Sequence, residues 1–303
     1  PRLGAATWCR ARGMANLEEL RQRIDSAQDM QAIVRVMKTL SAVSITQDQN
    51  AARRLRAYQE VVDRSLHAVM TDRGISLEGE PDLGAPTGVI VFGSDRGLCG
   101  RFNEIVVDRA CKWLDGRAAA APILAIGERA AARLEAQNHA AGNTFTQPGS
   151  VAGLSQNAEA ILLEVDTWRA EKDVEQVMAV FNVEAGRGRV EPCIEMILPI
   201  DKEALEHISG RAWPSNQTPV VDGPTEQVLS SFIRERLYTS LMRAGAESLA
   251  AEHATRLSAM QAAERNISES VDELKGRFRH ERQEAITNEL MDIVAAYQSV
   301  LEK

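Results

Sequence analysis

The residues best suited to chemistry lie in the run Ser94-Asp-Arg-Gly-Leu-Cys-Gly-Arg-Phe-Asn103, a glycine-rich stretch between an apolar run and a helical one. In such a place backbone amides at a helix start can cradle an anion, so phosphate binding is the first chemistry to weigh. The run lacks the Lys-Ser/Thr pair of a P-loop and does not spell GxGxxG. Arg96 and Arg101 are the charges at hand to neutralise a phosphate. The spacing favours a structural turn built on Asp95, Gly97 and Gly100, in which the glycines supply positive φ or close packing.

Other chemistries find fewer residues still. The four cysteines, Cys9, Cys99, Cys111 and Cys193, show no CxxC spacing, and the five histidines no HExxH. His280-Glu281 comes nearest, but Glu284 stands where the second histidine would be. Neither a nucleophile elbow nor a Ser-His-Asp order is present. The reading therefore assigns no catalytic, cofactor-binding or metal-ligating residue, and a reducing compartment suits the thiols. A net charge of -8 argues against nucleic acid as a partner. No apolar run approaches the roughly 20 residues that span a bilayer.

Two long helices must frame the turn. From Leu17, apolar residues fall at 17, 20, 24, 27, 30, 34 and 37, and the spacing resumes at Leu55, Tyr58, Val62, Leu66 and Val69. That alternation of three and four is a coiled-coil seam. No Gly or Pro interrupts residues 14–73, enough for ~80 Å of helix. After the Asp222-Gly223-Pro224 breaker a second seam runs through Leu237, Leu241, Leu249, Leu257, Met260, Ile267, Val271, Leu274 and Phe278, with Glu264 at one polar seam position. Neither seam is buried by its own helix, so the two are expected to pair as an antiparallel, left-handed coiled coil.

Between them the texture alternates. Apolar runs at 87–93, 122–127, 177–183 and 192–200 read as strands, and 102–115, 128–137 and 157–172 read as helices. The expected fold class is α/β plus coiled coil, with a central Rossmann-like domain. The expected divisions are an upstream extension or disordered segment at 1–13, with a start at Met14; an N-terminal helix at 14–73; the α/β domain at 87–208; and a C-terminal helix at 224–303. The polar block Arg279-His-Glu-Arg-Gln-Glu284 interrupts the second seam. It is either a solvated face or the place where the partner helix ends and another protein takes over.

Three blocks resemble the gamma subunit of F-type ATP synthases. Arg23-Ile-Asp-Ser…Val-Met-Lys38-Thr-Leu-Ser-Ala42 is similar to that family's R-I-x-S…A-M-K-M-V-S-A. Ser94-Asp-Arg-Gly-Leu-Cys-Gly with Phe102-Asn103 nearly repeats S-D-R-G-L-C-G-G-F-N. Glu252…Arg256-Leu-Ser-Ala-Met260…Asn266 and Arg282-Gln-Glu-Ala-Ile-Thr-Asn-Glu-Leu290 resemble E-x-x-A-R-M-x-A-M…N and R-Q-A-x-I-T-x-E-L. The chain departs from the family after Ala42, where Val-Ser-Ile-Thr-Gln-Asp-Gln49 replaces A-K-L-x-x-A-Q, and after Trp213, where acidic and Tyr residues are missing; both suit a divergent, alternate bacterial form.

The resemblance implies a non-catalytic rotor shaft without cofactor, one copy per complex, inside a hexamer of alpha and beta subunits and seated on the epsilon subunit and the c-ring. Membrane association would be indirect, through the c-ring, on the cytoplasmic face of a bacterial inner membrane, with the mitochondrial matrix face as the other option. It further implies that Arg282, Gln283 and Thr287 contact beta, that Met37 stands opposite them, and that Glu252 and Arg256 are coupling positions lower on the same arm. Ile293, Tyr297 and Leu301 would form an apolar bearing tip. A second reading, from a different class, is an autonomous coiled-coil scaffold whose α/β domain binds a small ligand.

Overall fold

The computed structural model describes residues 3–75, 84–116, 121–186, 188–200 and 221–301, with side chains at 3–15, 296 and 299–301 left out. The foot position Trp213 lies outside the described residues, as does the side chain of the tip residue Leu301. Helix α1 spans Leu3–Asp72 and so takes in most of the segment set aside as 1–13. Helix α5 spans Thr225–Leu301. The chain divides into two compact units, one of residues 1–39 with 260–303 and one of residues 40–259. Both long helices contribute to each.

Flanked by buried Asp63 and Met70, an inward stripe along α1 runs through the positions Leu20, Ile24, Ala27, Gln31, Val34, Lys38, Ser41, Ile45, Asp48, Ala52, Leu55, Gln59, Val62, Leu66 and Val69. They alternate by four and three without a break, so the seam is heptad throughout. The apolar spacing departs from this stripe at Met30, which is 57% exposed, and at Tyr58, 48% exposed, with Gln31 and Gln59 facing inward in their place, and at half-buried Met37, where Lys38 takes the seam position. In the unit of residues 1–39 and 260–303, Lys38 meets Glu264 and Asn16 meets Glu281. In the other unit, Asp48 meets His253, Gln59 meets Ser240 and Asp63 meets Arg236. Partners descend along α5 as they ascend along α1, and the pairing is antiparallel within each unit.

The second unit also holds a five-stranded sheet. Its strands are β1 (Thr87–Phe92), β2 (Ile123–Ile126), β3 (Asn143–Phe145), β4 (Gln176–Glu184) and β5 (Val190–Leu198), in the order β3-β2-β1-β4-β5. The first four are parallel and β5 is antiparallel to β4. Helices α2 (Phe102–Leu114) and α3 (Glu128–Ala136) cover one face, and α4 (Leu154–Glu171) the other.

Strand alternation sends Val89, Val91, Ile123 and Ala125 to α2 and α3, and Ile90, Phe92, Leu124 and Ile126 to α4. Leu241 and Ala244 of α5 complete the α4-side core around Trp168 and Phe181. Each large side chain so buried contributes roughly 1.5–3 kcal/mol. α5 is therefore part of the domain's core.

Candidate functional site

The strand order changes direction at β1, whose neighbours β2 and β4 lie on opposite sides. Open α/β sheets bind ligands at such a point, beyond the carboxyl end of the strand. Here the Ser94–Asn103 turn occupies it, and its own side chains shape it. Asn103 accepts from the Ser94 amide at 2.9 Å and donates to Ser94 Oγ at 2.8 Å. Asp95 reaches away from the turn: one carboxylate oxygen accepts the Glu128 amide at 3.0 Å, capping α3, and the other accepts the Gln147 amide at 2.9 Å. The charge also suits the positive end of a helix dipole.

Gly100 adopts φ +57 as expected, but Gly97 does not; the other left-handed residue is Leu98, at φ +63. Leu98 is 57% exposed, so its side chain gains nothing from packing that would favour this backbone. The turn is held by convergence on one atom instead. The Arg96 carbonyl accepts Ser94 Oγ–H at 2.9 Å, Cys99 Sγ–H at 3.7 Å and Arg256 Nη2–H at 3.5 Å.

Arg256 brings α5 into the crevice. Ser248 Oγ donates to the Phe92 carbonyl at the end of β1, and Ala251 packs with Cys99 and Phe102. Small residues at Ala244, Ala246, Ser248, Ala250, Ala251 and Ala254, all buried, let the helix sink that far. Glu252 and Arg256 form an ion pair across one helical turn, and both are buried. Burial raises the Glu252 carboxyl above its ordinary range, and Arg256 pulls it back only in part. Burial likewise raises the Cys99 thiol. Glu252 and Arg256, expected from the resemblance to be coupling positions, thus turn inward, and Arg256 joins the central turn to α5, so two of the blocks singled out in the sequence meet in space.

A second junction has no counterpart in the sequence reading. Arg243 of α5 bonds to Glu195 of β5, to Glu247 one turn along α5 at 3.1 Å, and to Gln59 of α1, with its guanidinium 5.8 Å above the Phe181 ring. Arg56 reaches Glu247 from α1 at 2.7 Å.

In the other unit, Arg282, Gln283 and Thr287 are exposed on α5, and Thr287 Oγ donates to the Gln283 carbonyl at 2.9 Å. Met37 is half-buried but does not stand opposite them. Its neighbour Lys38 meets Glu264, whereas Asn16 meets Glu281, which puts Met37 about 27 Å along the helix at 1.5 Å per residue. Nor does the seam stop at the polar block. The least exposed positions Met260, Glu264, Ile267, Val271, Leu274, Phe278, Glu281 and Ala285 keep the heptad through it, and α1 continues beside it. Beyond, Ile286, Leu290, Ile293 and Tyr297 are about half to two-thirds exposed.

Residues 16–300 match the family model described as ATP synthase. The chain belongs to that family. Among curated relatives, the ATP synthase gamma chain of a Sulfurovum species is 26% identical over 298 residues, covering 95% of this chain and all of the relative. That of Chlorobium phaeobacteroides is 28% identical over 306 residues, covering 95% and 99%. The fold is similar to that in the rotor of the Euglena gracilis mitochondrial ATP synthase, with TM-score 0.61 and 16% identity over 90% of this chain and 99% of that one. It is also similar to a chain in the central stalk and c-ring structure of the Tetrahymena thermophila mitochondrial ATP synthase, with TM-score 0.55 and 18% identity over 76% and 99%.

For this gamma-chain homologue, the α/β crevice has the position of a ligand site and a helix of the same chain as its occupant. A small ligand bound in that crevice would have to displace α5. No helix among the described residues is long and apolar enough to cross a membrane.

Proposed function

We propose that this chain is the rotating central-stalk subunit of an F-type ATP synthase, turning inside an alpha/beta hexamer and joined at its foot to the epsilon subunit and the c-ring, one copy per complex. The single observation that carries this reading is the heptad seam shared by α1 and α5, within a chain whose family match runs from residue 16 to 300. A paired helix resists bending and twisting as a lone one does not, which is what a shaft needs.

Coupling requires that different faces of the shaft favour different states of the subunits around it, since a partner shifts an equilibrium only by differential affinity. Exposed Arg282, Gln283 and Thr287 supply a one-sided polar face toward a beta subunit, where a guanidinium can grip a carboxylate at two points. Met37 offers a separate contact at a lower level. Ile293, Tyr297 and Leu301 serve as an apolar bearing. Glu252 and Arg256 act from inside, by holding the 94–103 turn against the shaft. The complex works at the cytoplasmic face of a bacterial energy-transducing membrane, attached through the c-ring.

Coexpression with the matching alpha and beta subunits tests the reading: the purified complex contains one copy of this chain and hydrolyses ATP, while the chain alone does not. ATPase activity of the chain by itself, or its exclusion from every such complex, overturns the proposal.

A further inference from the structure

Glu264 occupies a heptad seam position on α5, where apolar residues are the rule. Across the seam it accepts from two residues of α1, Arg35 at 3.1 Å and Lys38. Lys38 is itself a seam residue, so a charged layer replaces an apolar one, while Arg35 approaches from the flank. These two cations, by hydrogen bonding first and by their charge second, hold the Glu264 carboxyl below its ordinary range. The two cations make a charged link between the arms; another polar link, Asn16 to Glu281, is a neutral donor on one carboxylate.

An apolar seam resists separation but allows sliding and rolling at little cost, because Leu and Ile contacts are non-directional. A carboxylate held from two points separated by nearly one helical turn is directional in both senses. Sequence adds an independent argument. A one-heptad slip would set Glu264 against Gln28 and Gln31, or against Ala42 and Ile45, and in neither case does it find a cation.

We infer that Glu264 is a positioning residue that fixes the roll and register of α1 against α5 in this unit through Arg35 and Lys38, at the expense of a better-packed apolar layer. Its consequence for coupling rests on the rotor reading above; the arm geometry does not.

The test uses the full chain with spin labels, attached through an introduced ketone amino acid, at the exposed Ser26 and Ser270. Pulsed dipolar spectroscopy then reads the distance between the arms. The unsubstituted chain is expected to give one narrow distribution. Glu264→Ala at least doubles its width, Glu264→Lys moves the mean outward, and the swap Glu264→Lys with Arg35→Glu and Lys38→Glu restores both. If Glu264→Ala lowers helicity, Arg35→Met with Lys38→Met removes the same link from the other side and is expected to broaden the distribution equally.

Distributions as narrow as the parent's in both sets of variants overturn the inference, leaving a solvent-screened pair of no positional effect. In the assembled enzyme, the Glu264→Ala chain is expected to lower the number of ions moved per ATP. Broadened arms with unaltered coupling support the pin and count against the rotor reading.

Discussion

Arg236 Nε donates to Asp63 Oδ1 at 2.8 Å, joining α5 to α1 where both residues are at most 5% exposed. Removing one member of such a pair leaves the other charge buried and alone. Arg236→Ala is expected to lower stability by about 3–5 kcal/mol, read from urea denaturation of the whole chain. A loss under 1 kcal/mol would place the pair among solvated ones.

The same pair has a pH signature. Burial raises the Asp63 carboxyl above its ordinary 3.8, against the pull of Arg236. The folded chain therefore holds this proton more tightly than the unfolded one. Its contribution to stability is complete below the ordinary value and is lost as pH rises through the raised folded value. Relative to Asp63→Asn, the parent chain should gain stability as pH falls from 7 toward 4. Paired urea midpoints across that range check the sign; a difference that is flat or falls is the contrary result.

Gly127 starts α3 at φ +102, and a Cβ there would sit 2.6 Å from the Ser94 backbone. Gly127→Ala should cost roughly 1–3 kcal/mol, because strain and a rigid clash act together. It should also loosen the Asp95 cap, which hydrogen exchange at the Glu128 amide reports. Unchanged exchange there would separate the cap from the glycine.

Burial, with Asp115 and Asp108 adding to it, pushes the Cys111 thiol up to about 11 from an ordinary 9.0. At pH 8 that leaves about a hundredfold less thiolate than an ordinary thiol has. Iodoacetamide labelling followed by mass spectrometry should find Cys111 modified at least that much more slowly than cysteine in a short peptide. Equal rates would mean that the α2 face opens on the labelling timescale.

Arg282→Ala with Gln283→Ala changes two exposed side chains, so stability should move by no more than about 0.5 kcal/mol. In an assembled ATP synthase the pair should lower coupled ATP turnover about tenfold, the value of one lost charged hydrogen bond. Full turnover would return this face to the solvent.

Much of this architecture was legible because apolar periodicity is a direct record of burial. The parallel strands and both long helices follow from it, and α/β plus coiled coil is the fold found. The gap read between Lys38 and Leu55 closed for an instructive reason: the seam there runs through half-buried Lys38, which meets Glu264, through buried Ser41, and through buried Asp48, which meets His253. A search for apolar residues passes over such positions, just as it took exposed Met30 for a seam residue beside inward Gln31.

Strand β3 was missed because three residues on a sheet edge carry no alternation to read. The Arg243 junction was missed because its partners lie on α1, α5 and β5, far apart in sequence. The resemblance implied Met37 opposite Arg282, and a likeness of motifs does not state which turns of two helices face each other; Lys38 with Glu264 and Asn16 with Glu281 set that register.

The seat of α5 in the crevice of the sheet also imposes an order on biosynthesis. Strands β1 to β5 leave the ribosome well before Leu241, Ala244 and Ala251, which complete the core on the α4 side and the packing beneath the turn. A nascent chain ending at β5 lacks the α5 side chains that cover that apolar surface in the finished fold. The domain closes only when the helix arrives, so the part made first waits for the part made last.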